Sequence, residues 1–556
     1  MVYKRGALPR LRYTNQKLEI SMETKILLVL GILGLLAVGS LEPTESTDTP
    51  STPVIAFDGS YFPKDFMWGV ATSAYQTEGA ANQHGRGPST WDTFAHEFPE
   101  RIDDGSNGDV AVNYYAYYKE DLARMKNDLG VDAFRFSISW PRIIPSGTLR
   151  EGVNEEGIAF YNSVIDEALR LGLIPFVTLF HWDVPQALED KYGGFRSPNI
   201  IADFEDYAKL CYERFGDRVK HWLTINEPYV FTVHGYEIGG LAPGRCSSWV
   251  NRACQEGDSG TEPYIVGHHV LLAHAVAYRA YKAMGQDGEI GITLDLTWPE
   301  PYDFSVAADR AAAQRNLDFA FGWFMDPLVY GYYPRIMQQL VTGNRLPEFT
   351  KKEIVSLKGS YDFIGINYYT ANYASPNTSA PSDPTHIRYA TDGHYNLTKY
   401  REGKPIGEQV SPSWLYVFPE GLRYVLNYTK DAYKNPIIYV TENGIGDNNA
   451  LSPEETVNDT WRINYFKSHV WNVLKSICDH GVNVKGYFAW SFIDNYEWSN
   501  GYTVRMGLYG VDRAKSLDRF PKNSVAWWKE FLSKKPSSDG PKCISPKKKT
   551  SIDDEL

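Results

Sequence analysis

Val219-Lys220-His221-Trp222-Leu223-Thr224-Ile225-Asn226-Glu227-Pro228 carries the pattern on which the chain is built. A mostly apolar run, without strict polar alternation, reads as a strand buried on both faces. Glu227 then stands where such a strand leaves the core. The pattern recurs at Ile437-Ile438-Tyr439-Val440-Thr441-Glu442-Asn443-Gly444. Six further runs resemble these: Phe66–Ala71, Ala133–Ser139, Ile174–Phe180, Glu289–Leu294, Phe363–Tyr368 and Val484–Ser491. Helical patterns separate most of them. Before the second run, Leu122, Met125 and Leu129 repeat at helical spacing, and Gly130 follows as a stop signal. Eight strand-and-helix repeats in one chain predict an α/β protein, the (β/α)8 or TIM barrel. No linker-like segment interrupts it, so residues 57–534 read as a single domain with long βα-loop insertions.

In such barrels the chemistry sits at the carboxyl ends of the strands. The unusual polar and indole residues fall there. Gln76 follows run one, Arg135 lies in run two, and His181 follows run three. Asn226 and Glu227 end run four, Asn367 and Tyr369 run six, Glu442 run seven, and Trp490, Glu497 and Trp498 run eight. Taken singly, each has a structural reading: a capping glutamate, a satisfied core histidine, a packed tryptophan. Taken together, two strand-end carboxyls suit the acid and nucleophile of glycoside hydrolysis.

Several segments carry a family resemblance. They are Phe66-Met67-Trp68-Gly69-Val70-Ala71-Thr72-Ser73-Ala74-Tyr75-Gln76, Phe134-Arg135-Phe136-Ser137-Ile138-Ser139-Trp140-Pro141-Arg142 and Thr178-Leu179-Phe180-His181-Trp182-Asp183-Val184-Pro185. Thr224-Ile225-Asn226-Glu227-Pro228, Thr441-Glu442-Asn443-Gly444 and Asp494-Asn495-Tyr496-Glu497-Trp498 complete the set. From about Phe57 to Leu532 the chain resembles glycoside hydrolase family 1, the retaining β-glucosidases, and most of all its plant members. The resemblance implies Glu442 as nucleophile and Glu227 as acid/base, with Arg135 and Tyr369 holding the nucleophile ionised. It implies a sugar-binding shell of Gln76, His181, Asn226, Trp490, Glu497 and Trp498. Asn226 would meet the 2-hydroxyl, and Gln76 and Glu497 the 3-, 4- and 6-hydroxyls. Trp414 resembles one wall of the aglycone slot, which His234, Leu241, Ser499 and Met506 would also line. Ser499 and Met506 depart from the bulkier groups common there, and a small Ser499 predicts a wider pocket. Myrosinases carry glutamine where this chain has Glu227, so an O-glycoside is expected.

The resemblance therefore implies hydrolysis of an O-β-D-glucoside of a plant specialised metabolite through a covalent glycosyl-enzyme. Transfer to an acceptor alcohol, or release of a disaccharide, would use the same two carboxylates. A non-catalytic sugar-binding protein conflicts with the presence of both glutamates. Two carboxyls suffice for the chemistry, so no cofactor and no metal are expected. The expected partner is a small-molecule β-glucoside; a homo-oligomer is left open.

Composition and the chain ends add context. A net charge of −12, with both signs mixed, argues against a nucleic-acid surface. Residues 1–21 form a basic, polar extension. Residues 22–40 read as a signal peptide, in which the apolar run 26–38 is too short to span a membrane, so no membrane association is expected after cleavage. Residues 41–56 read as a disordered leader, and 535–556 as a disordered tail ending Asp553-Asp554-Glu555-Leu556, similar to an ER-retention signal. The secretory pathway is thus expected, whether ER lumen, vacuole or cell exterior. Plant relatives have a disulfide where Cys246 and Cys254 stand; Cys211 and Cys478 read as buried thiols, and Cys543 falls in the tail. Asn377, Asn396, Asn427 and Asn458 each open a glycosylation sequon.

Overall fold

A computed structural model describes residues 56–379, 386–448, 451–536 and 539–543. The extension, the signal peptide, nearly all of the leader and the last residues of the tail lie outside them.

The eight expected strands form one closed parallel barrel. They are β1 (Met67–Ala71), β2 (Ala133–Ser137), β3 (Ile174–Phe180), β4 (His221–Asn226), β5 (Glu289–Asp295), β6 (Phe363–Asn367), β7 (Ile437–Asn443) and β8 (Val484–Trp490). Each pairs with its neighbours in sequence, and β8 closes on β1 from Met67↔Gly486 to Ala71↔Trp490. Eight principal helices alternate with them: α1 (Tyr114–Arg124), α2 (Glu155–Arg170), α3 (Asn199–Phe215), α4 (Glu262–Ala283), α5 (Trp323–Tyr330), α6 (Pro419–Ala432), α7 (Thr460–His480) and α8 (Asn523–Ser533). In α2, Ile158, Tyr161, Val164, Ile165 and Ala168 are buried, one helical stripe turned to the sheet. Leu122, Met125 and Leu129 are fully buried as their spacing requires. The last five residues of that pattern, Met125–Leu129, widen into a π turn closed by left-handed Gly130 at φ 76°.

The barrel interior below the site is apolar and aromatic. The Phe176 ring lies 5.4, 5.2 and 5.0 Å from those of Phe363, Tyr439 and Phe488. These four strands meet through their rings, so the barrel is a packed core and its upper end a floor for polar groups. Gly69 is required here, since a Cβ on it would stand 2.3 Å from Phe488.

One strand boundary and two strand registers depart in an informative way. β7 runs on past the expected Thr441 to Asn443, so Glu442 lies inside the strand. Its register against β6 and β8 shifts just after Val440. β4 likewise shifts against β5 between Leu223 and Asn226. Irregularities of this kind re-aim the side chains that follow. Both glutamate-bearing ends carry one.

The Cys246–Cys254 bond that the resemblance implied is present, and Cys211 is a buried thiol. Cys478 corrects the sequence reading, because it is bonded to Cys543 across 65 residues. It sits in the last turn of α7, and the tail returns across that end of the barrel. There the Lys542 amide donates to the Tyr61 carbonyl at 2.8 Å, so the stretch around Cys543 is anchored. No sequence spacing announces such a closure.

Candidate active site

Glu442 enters the mouth of the barrel from β7 and is 4% exposed. Its Oε1 accepts from Arg135 Nη1 of β2 at 2.5 Å, and its Oε2 from the Tyr369 hydroxyl at 2.8 Å. Both oxygens thus face strong donors, the arrangement an anion requires. Burial and the Glu442 charge push the Tyr369 phenol well up, so it keeps its proton as a donor. Arg135 also donates through Nη2 to Asn226 Oδ1 at 2.6 Å and through Nη1 to the Thr441 carbonyl at 3.3 Å.

Glu227 lies one residue beyond β4 and is 7% exposed. Among the described residues its side-chain hydrogen-bond partner is neutral: Asn367 Nδ2 donates to its Oε1 at 2.6 Å. Its backbone is left-handed, at φ 45°, and its amide donates to the Thr293 carbonyl at 2.9 Å. Pro228 then starts a helix, Pro228–Tyr236. Burial raises the Glu227 carboxyl well above the usual range, and the charges of Glu442 and Asp295 add to this. Asn367 Nδ2 also reaches Asn226 Oδ1 at 3.2 Å, so the two glutamates share one hydrogen-bonded network through Asn367, Asn226 and Arg135.

His181 faces Asn226, Nε2 to Nδ2, at 3.1 Å. Burial, then the Arg135 charge, hold it well below the usual histidine range, so the imidazole is neutral. It stacks near Trp498 and Trp490, with ring centres 5.7 and 6.0 Å away. Gln76 is fully buried; its Nε2 donates to Asn495 Oδ1 at 3.0 Å and to the Tyr496 carbonyl at 2.9 Å. Glu497 Oε2 lies 3.5 Å from the same nitrogen. Burial and the nearby Glu442 charge push Glu497 up to about 8. Carboxyl, amide and indole groups thus line one end of the barrel. This is what binding a sugar asks for: bidentate polar partners for hydroxyls and flat faces for the ring.

The structure therefore brings together Glu227, Glu442, Arg135, Tyr369, Asn226, His181, Gln76, Glu497, Trp490 and Trp498. Trp414 adjoins them through Tyr369, ring centres 5.9 Å apart, and is 47% exposed. Met506 is buried in the cluster that holds Trp490, against Tyr369. Ser499 is half-buried and its carbonyl accepts from the Asp103 amide. His234 and Leu241 are half-buried and joined to each other by a backbone bond of 3.2 Å, and neither hydrogen-bonds the glutamates among the described residues. Among the sequons, Asn396 and Asn458 are exposed and Asn377 is half-buried, whereas Asn427 sits on α6 beside fully buried Thr429. Two participants carried no role in the sequence reading. Asn367 reads there only as a polar strand end, and Asp295 falls beyond the end of run five. The strand-end rule that selected Glu227 would have selected Asp295 as well.

A parallel barrel whose mouth holds two carboxyls in unlike surroundings, ringed by amides and indoles, defines a glycosidase. The model of glycosyl hydrolase family 1 matches residues 59–537, and the chain belongs to that family. It is a glycoside hydrolase. It is 56% identical over 478 residues to β-glucosidase 12 of Oryza sativa subsp. japonica, covering 85% of this chain and 92% of that protein. It is 51% identical over 490 residues to raucaffricine-O-β-D-glucosidase of Rauvolfia serpentina, covering 84% and 90%. A rice β-glucosidase mutant, solved in a covalent complex with Glc, superposes at a TM-score of 0.84 with 45% identity, covering 86% and 99%.

Proposed function

We propose that this chain hydrolyses the O-β-D-glucoside of a plant specialised metabolite, with retention, through a covalent glycosyl-enzyme. The observation that carries the reading is the contrast between the two glutamates. Glu442 is held by a guanidinium and a phenol at 2.5 and 2.8 Å, and Glu227 by a single amide at 2.6 Å. A group held as an anion suits attack on the anomeric carbon, and a buried, protonated group suits donation to the leaving oxygen. Glu442 forms the bond to the sugar as the aglycone leaves, taking the Glu227 proton. Glu227, now a base, removes a proton from water, which displaces Glu442 and frees glucose. Asn226, fixed by Arg135, Asn367 and His181, is placed to bind the 2-hydroxyl. Gln76 and Glu497 take the remaining hydroxyls, and Trp490 and Trp498 supply the ring faces. Trp414 stands on the aglycone side.

The covalent Glc complex of the rice relative supports the intermediate, and the Rauvolfia relative, named for raucaffricine, supports a specialised-metabolite substrate. Two disulfides support passage through an oxidising compartment, so we assign the chain to the secretory pathway. Among the described residues no helix is long and apolar enough to cross a membrane. The test is proton NMR of early product from the chain starting near Leu41, offered a panel of β-glucosides. The β-anomer of glucose appears first if the reading is right; initial α-glucose, or silence on the whole panel, refutes it.

A further inference from the structure

The end of β5 holds a fourth carboxyl, Asp295, to which no role has been given. In register, Asp295 pairs with Asn367 of β6, and Asn367 pairs with Glu442 of β7. Three neighbouring strands thus bring Asp295, Asn367 and Glu442 to one level of the barrel mouth. On the other side, Asn226 of β4 pairs with Thr293 of β5, and the Glu227 amide donates to the Thr293 carbonyl at 2.9 Å. Asp295 therefore flanks Glu227 from the next strand. Its Oδ1 is sealed from solvent and has no partner. Among the described residues Asp295 forms no salt bridge. Both terminal nitrogens of Arg135 are directed elsewhere, to Glu442, Asn226 and the Thr441 carbonyl.

A carboxylate so placed has one consequence for its neighbour. A second negative charge beside a buried acid opposes loss of the acid's proton. We propose that Asp295 is a positioning residue for proton donation: once ionised, it keeps the proton on Glu227 as the pH rises and so sets the alkaline limit of turnover. The inference rests on the reading of Glu227 as the acid. The groups that face Glu227 leave this task to Asp295 and Glu442. Asn367 of β6 and the Arg135 charge from β2 both lower Glu227; His181 at the end of β3 is neutral; Tyr369 keeps its proton; Glu497 beyond β8 is pushed up to about 8. Glu442 loses its charge when it bonds the sugar. Asp295 does not, so it also acts in the second half of the cycle.

The sign follows from Asp295 itself, which burial, with the Glu442 charge adding to it, raises to about 7. Below that pH it is neutral and adds little; above it, its charge opposes loss of the Glu227 proton, and the two carboxyls titrate as a pair.

The experiment is the pH profile of kcat/KM for the full mature chain on an alkyl or p-methoxyphenyl β-glucoside, whose leaving group needs the acid. Asp295→Asn moves the alkaline limb down by about one pH unit, so the loss is small at pH 6 and about tenfold at pH 8. The alkaline limb for 2,4-dinitrophenyl β-glucoside, which needs no acid, stays in place. Asp295→Glu restores the limb, and Asp295→Ser reproduces the shift should the Asn variant not fold. A limb that coincides with wild type in the folded Asn or Ser variant overturns the inference. So does a loss equal at every pH, or one confined to KM for particular aglycones, which would make Asp295 an aglycone contact. A wild-type chain silent on every β-glucoside would overturn the assignment of the glutamate pair, and this inference with it.

Discussion

Glu227→Gln separates the proton from the shape that carries it. The glutamine has the size of the glutamate, and its carbonyl can still accept from Asn367 Nδ2, 2.6 Å away in the native chain. The amide of residue 227 keeps its bond to the Thr293 carbonyl, so the left-handed turn should persist. Thermal unfolding should therefore change little, by less than about 1 kcal/mol. The activity should change greatly and selectively. General acid catalysis contributes roughly 10²- to 10⁴-fold, or about 3–5 kcal/mol of transition-state stabilisation. The full loss falls on a glucoside with a strongly basic leaving group, such as an alkyl alcohol. For 2,4-dinitrophenyl β-glucoside the first step is nearly spared. Its turnover is then limited by the second step, where Glu227 would have activated water. Azide, which needs no base, should restore that step and yield β-glucosyl azide. The assay is kcat/KM on both substrates, with product identification in azide. A fall of equal size on the two substrates, in a folded variant, would refute the reasoning. It would mean that Glu227 acts through the sugar-binding geometry and not through its proton.

Three further outcomes follow from other contacts. Tyr369→Phe removes the hydroxyl 2.8 Å from Glu442 Oε2 but keeps the ring; a hydrogen bond to a charged group is worth about 1.5–3 kcal/mol, so kcat/KM should fall roughly 10- to 100-fold on both leaving-group classes. Cys543→Ser opens the bond to Cys478, and chemical denaturation should show a loss of about 2–4 kcal/mol with kcat unchanged, since the closure lies away from the barrel mouth. His274 is fully buried between Thr224 and Ser360, and burial lowers it to about 3. Its neutral form is the one the fold accepts. That stability is present above the unfolded value near 6.5 and is lost as the pH falls from there toward 3. Denaturant midpoints measured from pH 7 to pH 4 should decline, and His274→Asn should flatten the decline.

The architecture was legible because parallel strands buried on both faces leave apolar runs that a chain cannot disguise. All eight runs became barrel strands, and the strand-end rule found both glutamates, Arg135, Asn226 and His181. Sequence reading stopped where structure depends on pairing between distant segments. It ended run seven at Thr441, because no local signal marks the register shift that carries the strand to Asn443. It ended run five at Leu294 and so left Asp295 out, although the strand includes it. It left Cys478 a thiol, because the closure depends on where the tail returns. Among the described residues the hydrogen bonds of His234, Leu241 and Ser499 do not reach the glutamates, and residue type alone does not fix what such positions touch.

Glu227 shows how much one local rule can carry. A residue before proline is turned away from the right-handed helical region, and the proline itself suits the first helical position. Asn226-Glu227-Pro228 thus requires a strand to end and a helix to begin with one residue between them. That residue takes the left-handed region, at φ 45°, a conformation glycine would adopt without strain. Glutamate costs more there, since a side chain at positive φ crowds its own backbone. The barrel supports it through the Thr293 carbonyl on one side and Asn367 on the other. A glycine would relax the turn but could hold no proton. An aspartate would tolerate the turn better, but its carboxyl would fall a methylene short of its present reach. Strain retained at the one position where both length and proton are needed supports a catalytic reading of the turn over a structural one.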